Sequence, residues 1–246
     1  MGPASGANIT LPVVPNVVGT GVNPATAIRV SNSVQYMWGF APNALAFIGK
    51  GFYGDVMVGL PETASGTSPL GRYTGTRVGY AVGPWNVAGA YAESVGPFGT
   101  MGPNYKLTTT FKESNLGGSY TFSGGKLMGH IGTTEFNIPN MPNMRYSHWA
   151  VGGEITVGNG FIPLSYISRK QNNAPGSSAD QIAADYVHHL SKRTALYTSV
   201  SRMTNKNGGT YTFIGRNGGN FPALTSGLVS SPGNGSAYDI GVRHSF

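Results

Sequence analysis

The chain has 246 residues, among them 38 Gly, while only 10% of its residues are charged and none is Cys. The lack of Cys excludes a disulfide framework and a Cys-based zinc site. No stretch approaches the roughly 18 apolar residues that a membrane-spanning helix needs, so a helical membrane protein is excluded. A transmembrane β-barrel is not excluded, because its strands carry apolar residues only at alternate positions.

The net charge is +7, from 16 Lys and Arg against 9 Asp and Glu. These basic residues are scattered along the chain rather than clustered, which argues against a nucleic-acid-binding patch. The first six residues have neither a basic nor an apolar region and do not form a signal peptide. Residues 1–28, which contain Pro12, Pro15 and Pro24, are predicted to form an irregular segment rather than a strand.

From Arg29 onward, apolar and polar residues alternate in recurring runs that predict β-strands. The predicted strands are 29–38, 44–53, 74–83, 85–93, 107–122, 126–136, 147–157, 161–169, 180–190, 194–203 and 237–246. The predicted long joins, which alternate with short turns such as Gly83-Pro84, are 54–73, 94–106, 137–146, 170–179 and 204–236. Short turns on one rim and long loops on the other are typical of an outer-membrane barrel, and we expect the loops at 54–73 and 204–236 to face the exterior.

Successive side chains of a strand point to opposite sides, so each face can be assigned from the sequence. In 85–91, for example, Trp85, Val87 and Tyr91 share one face and Asn86 lies on the other. A basic side chain that faced lipid at the middle of the membrane would cost roughly 2–4 kcal/mol, so charged residues are expected on the lumen face. The predicted pore-lining residues are Arg29, Arg77, Lys126, Glu154, Arg169, Asp185, Asp239 and Arg243. Any one of these charges could simply hydrate the wall, but as a set the basic residues favour anions.

The chain ends on an alternating run in which Tyr238, Ile240, Val242 and Phe246 share a face. This run resembles the C-terminal strand of Gram-negative outer-membrane barrels, whose final aromatic residue helps the assembly machinery to recognise its client. The resemblance identifies these four residues as a predicted assembly signal. A closing strand of a soluble β-sandwich could show the same alternation.

Three further segments resemble Gram-negative general porins. Residues 183–197 followed by Asn205-Lys-Asn-Gly208 are similar to the penultimate hairpin of that family, and 241–246 are similar to its ending. The segment Arg29-Val-Ser-Asn-Ser-Val-Gln-Tyr36 resembles a strand from the middle of the family's chain. The resemblance implies a trimeric, sixteen-stranded, water-filled barrel in the outer membrane, through which ions and other small hydrophilic solutes diffuse without a cofactor.

The chain departs from that family pattern at its beginning. Eleven strands are predicted instead of sixteen, and no counterpart of the family's early strands or of its Pro-Glu-Phe-Gly type motif is found. The resemblance therefore implies that residues 1–28 are the tail of the constriction loop and that residues 29–246 form the last two-thirds of a porin barrel.

Two other classes of protein stay open on the sequence alone. One is a barrel or β-sandwich that acts as an adhesin or binding protein without a channel. The other is a barrel enzyme with a non-local catalytic set, such as His148 with Asp185, although no Gly-x-Ser-x-Gly motif is present. His188 and His189 invite a metal site, but neighbouring residues of a strand point to opposite faces and cannot chelate one ion together. We therefore expect neither catalysis nor a metal.

Deletion of Phe246 should impair assembly more than it impairs the stability of the assembled protein. The aromatic ring lies in the alternating pattern of Ile240 and Val242, and its expected partner is the assembly machinery. We expect less protein in the outer-membrane fraction and unassembled chain in the periplasm, both measured by immunoblot. An unchanged outer-membrane level would contradict the assignment.

Overall fold

The computed structural model describes residues 32–39, 50–61, 71–100, 106–137, 139, 142–173, 176–209, 211 and 234–245. Within these ranges the protein is all-β, and eleven antiparallel strands follow one another in chain order in one sheet. The strands are β1 (Ser33–Trp38), β2 (Gly51–Gly59), β3 (Tyr73–Val82), β4 (Trp85–Thr100), β5 (Lys106–Phe122), β6 (Gly125–Asn137), β7 (Met144–Val157), β8 (Gly160–Gln171), β9 (Ser178–His189), β10 (Thr194–Lys206) and β11 (Gly235–His244). The described residues contain no helix of the length and apolar character required to cross a membrane.

Two compact units can be distinguished by their internal contacts. One contains β1 to β4, most of β5 and the adjoining ends of β6 and β7, and the other contains β8 to β11 with the remainder of β5, β6 and β7. The predicted segment 1–28, Arg29 and Phe246 lie outside the described residues.

The second strand lies later in the chain than predicted. The prediction placed a strand at 44–53 and a loop from residue 54, whereas β2 runs from Gly51 to Gly59. Its register with β3 explains the position, because Asp55 lies directly opposite Arg77 and Phe52 lies directly opposite Tyr80. The register thus pairs opposite charges on one face and aromatic rings on the other.

Several strands extend further towards the long joins than predicted. Strand β4 continues to Thr100, and strand β7 begins at Met144. The predicted joins 94–106, 137–146 and 170–179 therefore shrink to residues 101–105, 138–143 and 172–177. A strand can continue past the apolar band of a membrane protein with polar residues on both faces, so polarity alone does not mark its end.

The two faces of the sheet differ in chemistry, as the alternation predicted. One face exposes large apolar side chains to its surroundings. Its members include Phe52, Val56, Val58, Val78, Tyr80, Val82, Trp85, Val87, Tyr91, Leu116, Leu127, Ile131, Trp149, Val151, Ile155, Ile182, Val200, Tyr238, Ile240 and Val242. We call this the outer face, and we call the opposite face, which carries Asp55 and Arg77, the inner face. An outer face of this kind fits the hydrocarbon of a membrane.

A two-residue turn joins β3 to β4. Gly83 has a φ of 54° and is followed by Pro84, and Val82 lies opposite Trp85. A positive φ at the first central residue is typical of a type II′ turn, whose twist matches that of the flanking strands. The Pro then supplies the negative φ that this turn requires at its second position.

Aromatic rings of neighbouring strands cover glycines in this sheet. Trp38 lies opposite Gly54, and Tyr53 lies opposite Gly79. A Cβ atom added at either glycine would meet the ring of its partner. Tyr197 covers Gly241 in the same way between β10 and β11. These glycines are therefore required by the packing of a ring rather than by the backbone conformation.

Replacing Gly79 with Ala should destabilise the protein, because the new methyl group displaces the Tyr53 ring. Overpacking of this kind costs about 1–3 kcal/mol. The measurement is the temperature at which the folded band is lost in heat-modifiable gel migration. Gly89→Ala is the matched control, since a Cβ atom there meets its nearest neighbour at 3.7 Å, an ordinary contact distance. An equal shift in the two variants would argue against the role of the ring.

Candidate functional site

The inner face of the first unit is organised around an ion pair between β2 and β3. The Arg77 Nη2 atom lies 2.5 Å from the Asp55 Oδ2 atom, and the two residues are directly opposite in the register. The Arg77 side chain nevertheless stays 42% exposed. A cross-strand pair of opposite charges stabilises the register while it leaves one edge of the guanidinium accessible to solutes.

A polar cluster surrounds this ion pair on the inner face. The Tyr53 hydroxyl donates a hydrogen bond of 2.6 Å to Asn86 Oδ1 on β4. Asp55 and Glu113 both interact electrostatically with Tyr73, so a second carboxylate lies near the pair. The first unit therefore carries two acidic side chains and one basic side chain within this cluster.

A second arrangement in the other unit holds Arg169 beneath a loop residue. Arg169 on β8 is only 3% exposed, and Tyr211, which follows β10, is 7% exposed. The Tyr211 ring also packs with Ala179 and Met203. Its side chain interacts with both Ser177 and Arg169. The chain after β10 thus returns to the inner face and covers a basic residue there.

The return of the chain depends on a tight turn and on one amide side chain. Asn207 and Gly208 have φ angles of 53° and 73°, and the Gly209 amide donates to the Lys206 carbonyl at 3.0 Å. This is the geometry of a type I′ turn. The Tyr211 amide then donates to Asn205 Oδ1, and Asn205 Nδ2 donates to the Tyr211 carbonyl, each at 3.0 Å. Asn205 therefore fixes the backbone of Tyr211.

Burial raises the pKa of the Tyr211 hydroxyl, although Ser177 and Arg169 act in the opposite direction. The phenol consequently stays neutral at physiological pH. The Tyr211 ring shields Arg169 from water by occupying the space beside it, and it does not neutralise the charge of Arg169.

Seven of the eight predicted pore-lining residues lie on the inner face of their strands by alternation, and Arg29 lies outside the described residues. The seven are Arg77, Lys126, Glu154, Arg169, Asp185, Asp239 and Arg243. Their role in lining a pore stays a prediction. The structure brings Arg77 to Asp55 and Arg169 to Tyr211. Of the predicted assembly signal, Tyr238, Ile240 and Val242 are strongly exposed on the outer face of β11.

The sequence analysis missed two acidic residues of the inner face. Asp55 was assigned to a loop, although its spacing from Tyr53 and Met57 signals the face on which it lies. Glu113 was within a predicted strand, and the alternation from Phe111 was sufficient to place it. With these two, the inner face of the described strands carries four basic residues, Arg77, Lys126, Arg169 and Arg243, and five acidic residues, Asp55, Glu113, Glu154, Asp185 and Asp239.

The two adjacent histidines contact different rings on the two sides of β9. His188 lies beside Tyr186, with ring centroids 6.1 Å apart, and His189 lies beside Phe161 at 5.8 Å. Across the described part of the chain, no group of three His, Cys, Asp or Glu side chains is arranged to hold a metal ion.

An antiparallel sheet with an exposed apolar face and an opposite face that carries charged residues fits an integral outer-membrane β-barrel protein. Residues 3–208 match the family model described as Gram-negative porin. Because this match covers more than half of the sequence, the chain belongs to the Gram-negative porin family, and its location is the outer membrane.

The matches with individual relatives include most of this chain but a smaller share of each relative's own length. Outer membrane porin protein 32 of Delftia acidovorans is 30% identical over 221 residues, which make up 89% of this chain and 57% of that protein. An anion-selective porin from Comamonas acidovorans has a TM-score of 0.68 at 28% identity, over 87% of this chain and 59% of that chain. OmpT of Vibrio cholerae, at 15% identity and a TM-score of 0.63, covers 86% of this chain and 64% of its own and shows the fold alone. The chain thus spans less than two thirds of each relative.

Removing the Tyr211 ring should expose Arg169 to water on the inner face. In the channel that is proposed below, a Tyr211→Ala variant should give a larger single-channel conductance and pass more anions, because Arg169 becomes hydrated. Tyr211→Phe is the matched control, since it removes only the hydroxyl and keeps the ring over Arg169. If the two variants conduct alike, the ring does not shield this charge.

Proposed function

We propose that the protein forms a water-filled channel in the outer membrane, through which small hydrophilic solutes diffuse passively, with a preference for anions. The division of the faces carries the proposal, since the charged side chains described above lie opposite the exposed apolar band. In barrels of this type the polar face surrounds an aqueous lumen. We further propose that the protein assembles as a homotrimer and functions without catalysis or a cofactor, as the resemblance to porins implies.

The four inner-face cations and five inner-face acids do not by their number favour anions. The surplus of positive charge lies elsewhere, near the ends of the strands. Among the charged residues that the structure describes, Lys50, Lys192 and Arg193 lie outside the strands at the end of the sheet where the short turns lie, and all three are basic and exposed. Basic residues around an entrance create a positive potential that raises the local concentration of anions.

The positive and negative charges on the inner face are nearly equal in number, and this balance determines whether the channel wall opposes or supports the positive potential at the entrance. Arg77 offsets Asp55 as an ion pair, and Arg169 keeps its charge beneath a neutral phenol. The wall of the proposed channel is therefore close to neutral overall, and the basic entrance decides the sign of the selectivity. The 28% identical structural relative is an anion-selective porin, which supports the same sign.

The protein in a planar bilayer under a KCl gradient should give a zero-current potential of the anion-selective sign. The potential should decrease with salt, because the Debye length falls from ~10 Å at 0.1 M to ~3 Å at 1 M. A triple variant, R77Q/R169Q/R243Q, should reverse the sign, since Lys126 alone then faces the five acidic residues of the inner face.

The matched triple variant at the short-turn ends is K50Q/K192Q/R193Q, which removes the same number of charges. It should abolish the anion preference, because the inner face alone carries four cations against five acids. Heat-modifiable migration should confirm that both variants fold. A cation-selective native protein would contradict the proposed preference, whereas a protein that gives no conductance would contradict the channel itself.

A further inference from the structure

A tyrosine ring lies beside an arginine on the inner face of the unit that contains β8 to β11. Tyr197 on β10 is directly opposite Gly241 on β11. A Cβ atom added at Gly241 would meet the hydroxyl and the ring of Tyr197, so the ring lies along the wall instead of standing out from it. Arg243 follows Gly241 by two residues and therefore lies on the same face. We call Tyr197, Gly241 and Arg243 the platform.

An apolar row continues from the Tyr197 ring across two more strands. Val187 on β9 lies directly opposite Tyr197, and Phe161 on β8 lies directly opposite Val187. Val187 is buried, whereas Tyr197 and Phe161 are half-buried. The two rings therefore flank a low centre, and each of them keeps accessible surface.

The neighbouring row, which is closer to the short turns, carries the basic residue. Ala195 lies directly opposite His189 on one side and directly opposite Arg243 on the other. The His189 ring lies beside the Phe161 ring, with centroids 5.8 Å apart. Ala195 is buried, and both of its larger neighbours are half-buried. A guanidinium and an imidazole thus stand on either side of a shallow floor, next to the apolar row.

We propose that the platform binds aromatic carboxylates as they diffuse along the wall, an inference that rests on the proposed channel. A planar guanidinium donates two parallel hydrogen bonds to a carboxylate, which makes Arg243 a suitable ligand. Aromatic rings attract one another in offset-stacked and edge-to-face arrangements. The ring of the solute lies against Tyr197 while its carboxylate reaches Arg243, because these two residues belong to adjacent rows.

Charges on either side of Gly241 give the bound solute one orientation. Asp239 lies two residues from Gly241 on the same face, in the direction opposite to Arg243. Ser199 lies directly opposite both Asp239 and Asp185, so a second acid is found at the same level. A carboxylate at that level would lie ~13 Å along the strand from Arg243, at about 3.3 Å per residue, and would be repelled. The carboxylate of the solute therefore points towards the short turns.

A similar set of residues in the first unit lacks an accessible ring. Tyr53 lies over Gly79, and Arg77 is two residues from Gly79 on the same face. Tyr53 is only 6% exposed, however, and its hydroxyl donates to Asn86. The Arg77 guanidinium is also held by Asp55 at 2.5 Å. An arginine near a glycine that a tyrosine covers is therefore not sufficient, and the accessible ring distinguishes the platform.

The test compares benzoate with cyclohexanecarboxylate, which has the same charge and a similar size but no aromatic ring. The purified protein in detergent is titrated with each acid at neutral pH, and binding is measured from the broadening of the NMR signals of the acid. Benzoate should bind about two- to tenfold more tightly, which is the contribution of one aromatic pair. Equal affinity of the two acids for the native protein would overturn the proposal.

Two substitutions assign the ring and the charge separately. Tyr197→Leu should remove the difference between the two acids, and Tyr197→Phe, the matched control, should keep it. Arg243→Gln should weaken the binding of both acids by a similar factor, whereas Arg243→Lys should weaken it less. A Tyr197→Leu variant that still prefers benzoate would contradict the role of the ring. Should that variant lose its heat-modifiable folded band, Arg243→Gln decides, since unchanged benzoate binding would overturn the proposal.

A current measurement separates the platform from the channel itself. Benzoate added on the side of the short turns should reduce the chloride current through the native protein more than cyclohexanecarboxylate does. The titration in detergent requires no conductance, so a protein that binds benzoate but passes no current would contradict only the channel. A channel that conducts anions and does not distinguish the two acids would contradict only the platform.

Discussion

Side chains alternate along the described strands between an apolar outer face and a more polar inner face, and this alternation fixes the register of the sheet. A shift of one residue would exchange the two sets of side chains. In β2 and β3 the exchange would turn Asp55 and Arg77 outward, where a basic group at the middle of the membrane costs roughly 2–4 kcal/mol. Aromatic rings favour the same register because of their size. The Tyr53 ring lies over Gly79, and a shift of one residue would place it against the side chain of a residue next to Gly79.

The glycines that lie beneath aromatic rings also show which parts of the fold the sequence could predict. The alternation of Trp85, Val87 and Tyr91 is local, and it predicted the strand and its outer face. β2 was misplaced because Gly51, Gly54 and Gly59 have low strand propensity. Gly54 belongs in the strand since it lies beneath Trp38, and a contact with another strand cannot be recognised from local pattern.

The charged residues show a second limit of the same kind. Parity assigns a side chain to a face, but its position along the strand decides whether a charge is allowed on the outer face. Glu93 and Lys112 share their faces with Tyr91 and Leu116, yet they lie beyond the apolar band, where charge carries no penalty. A net charge of +7 therefore says little about the inner face, because part of the surplus lies outside the proposed channel.

The environment of a wall charge also depends on residues that are not in the wall. The turn at Asn207-Gly208 reverses the chain, Asn205 binds the backbone of Tyr211 on both sides, and the Tyr211 ring then covers Arg169. The Asn-Lys-Asn-Gly segment marked a family resemblance in the sequence, and the structure supplies its physical role. Since Asn and Gly tolerate the positive φ angles of this turn, another residue pair would direct the chain elsewhere. Arg169 would then face solvent, so a short turn after β10 controls whether this inner-face cation is shielded by the Tyr211 ring.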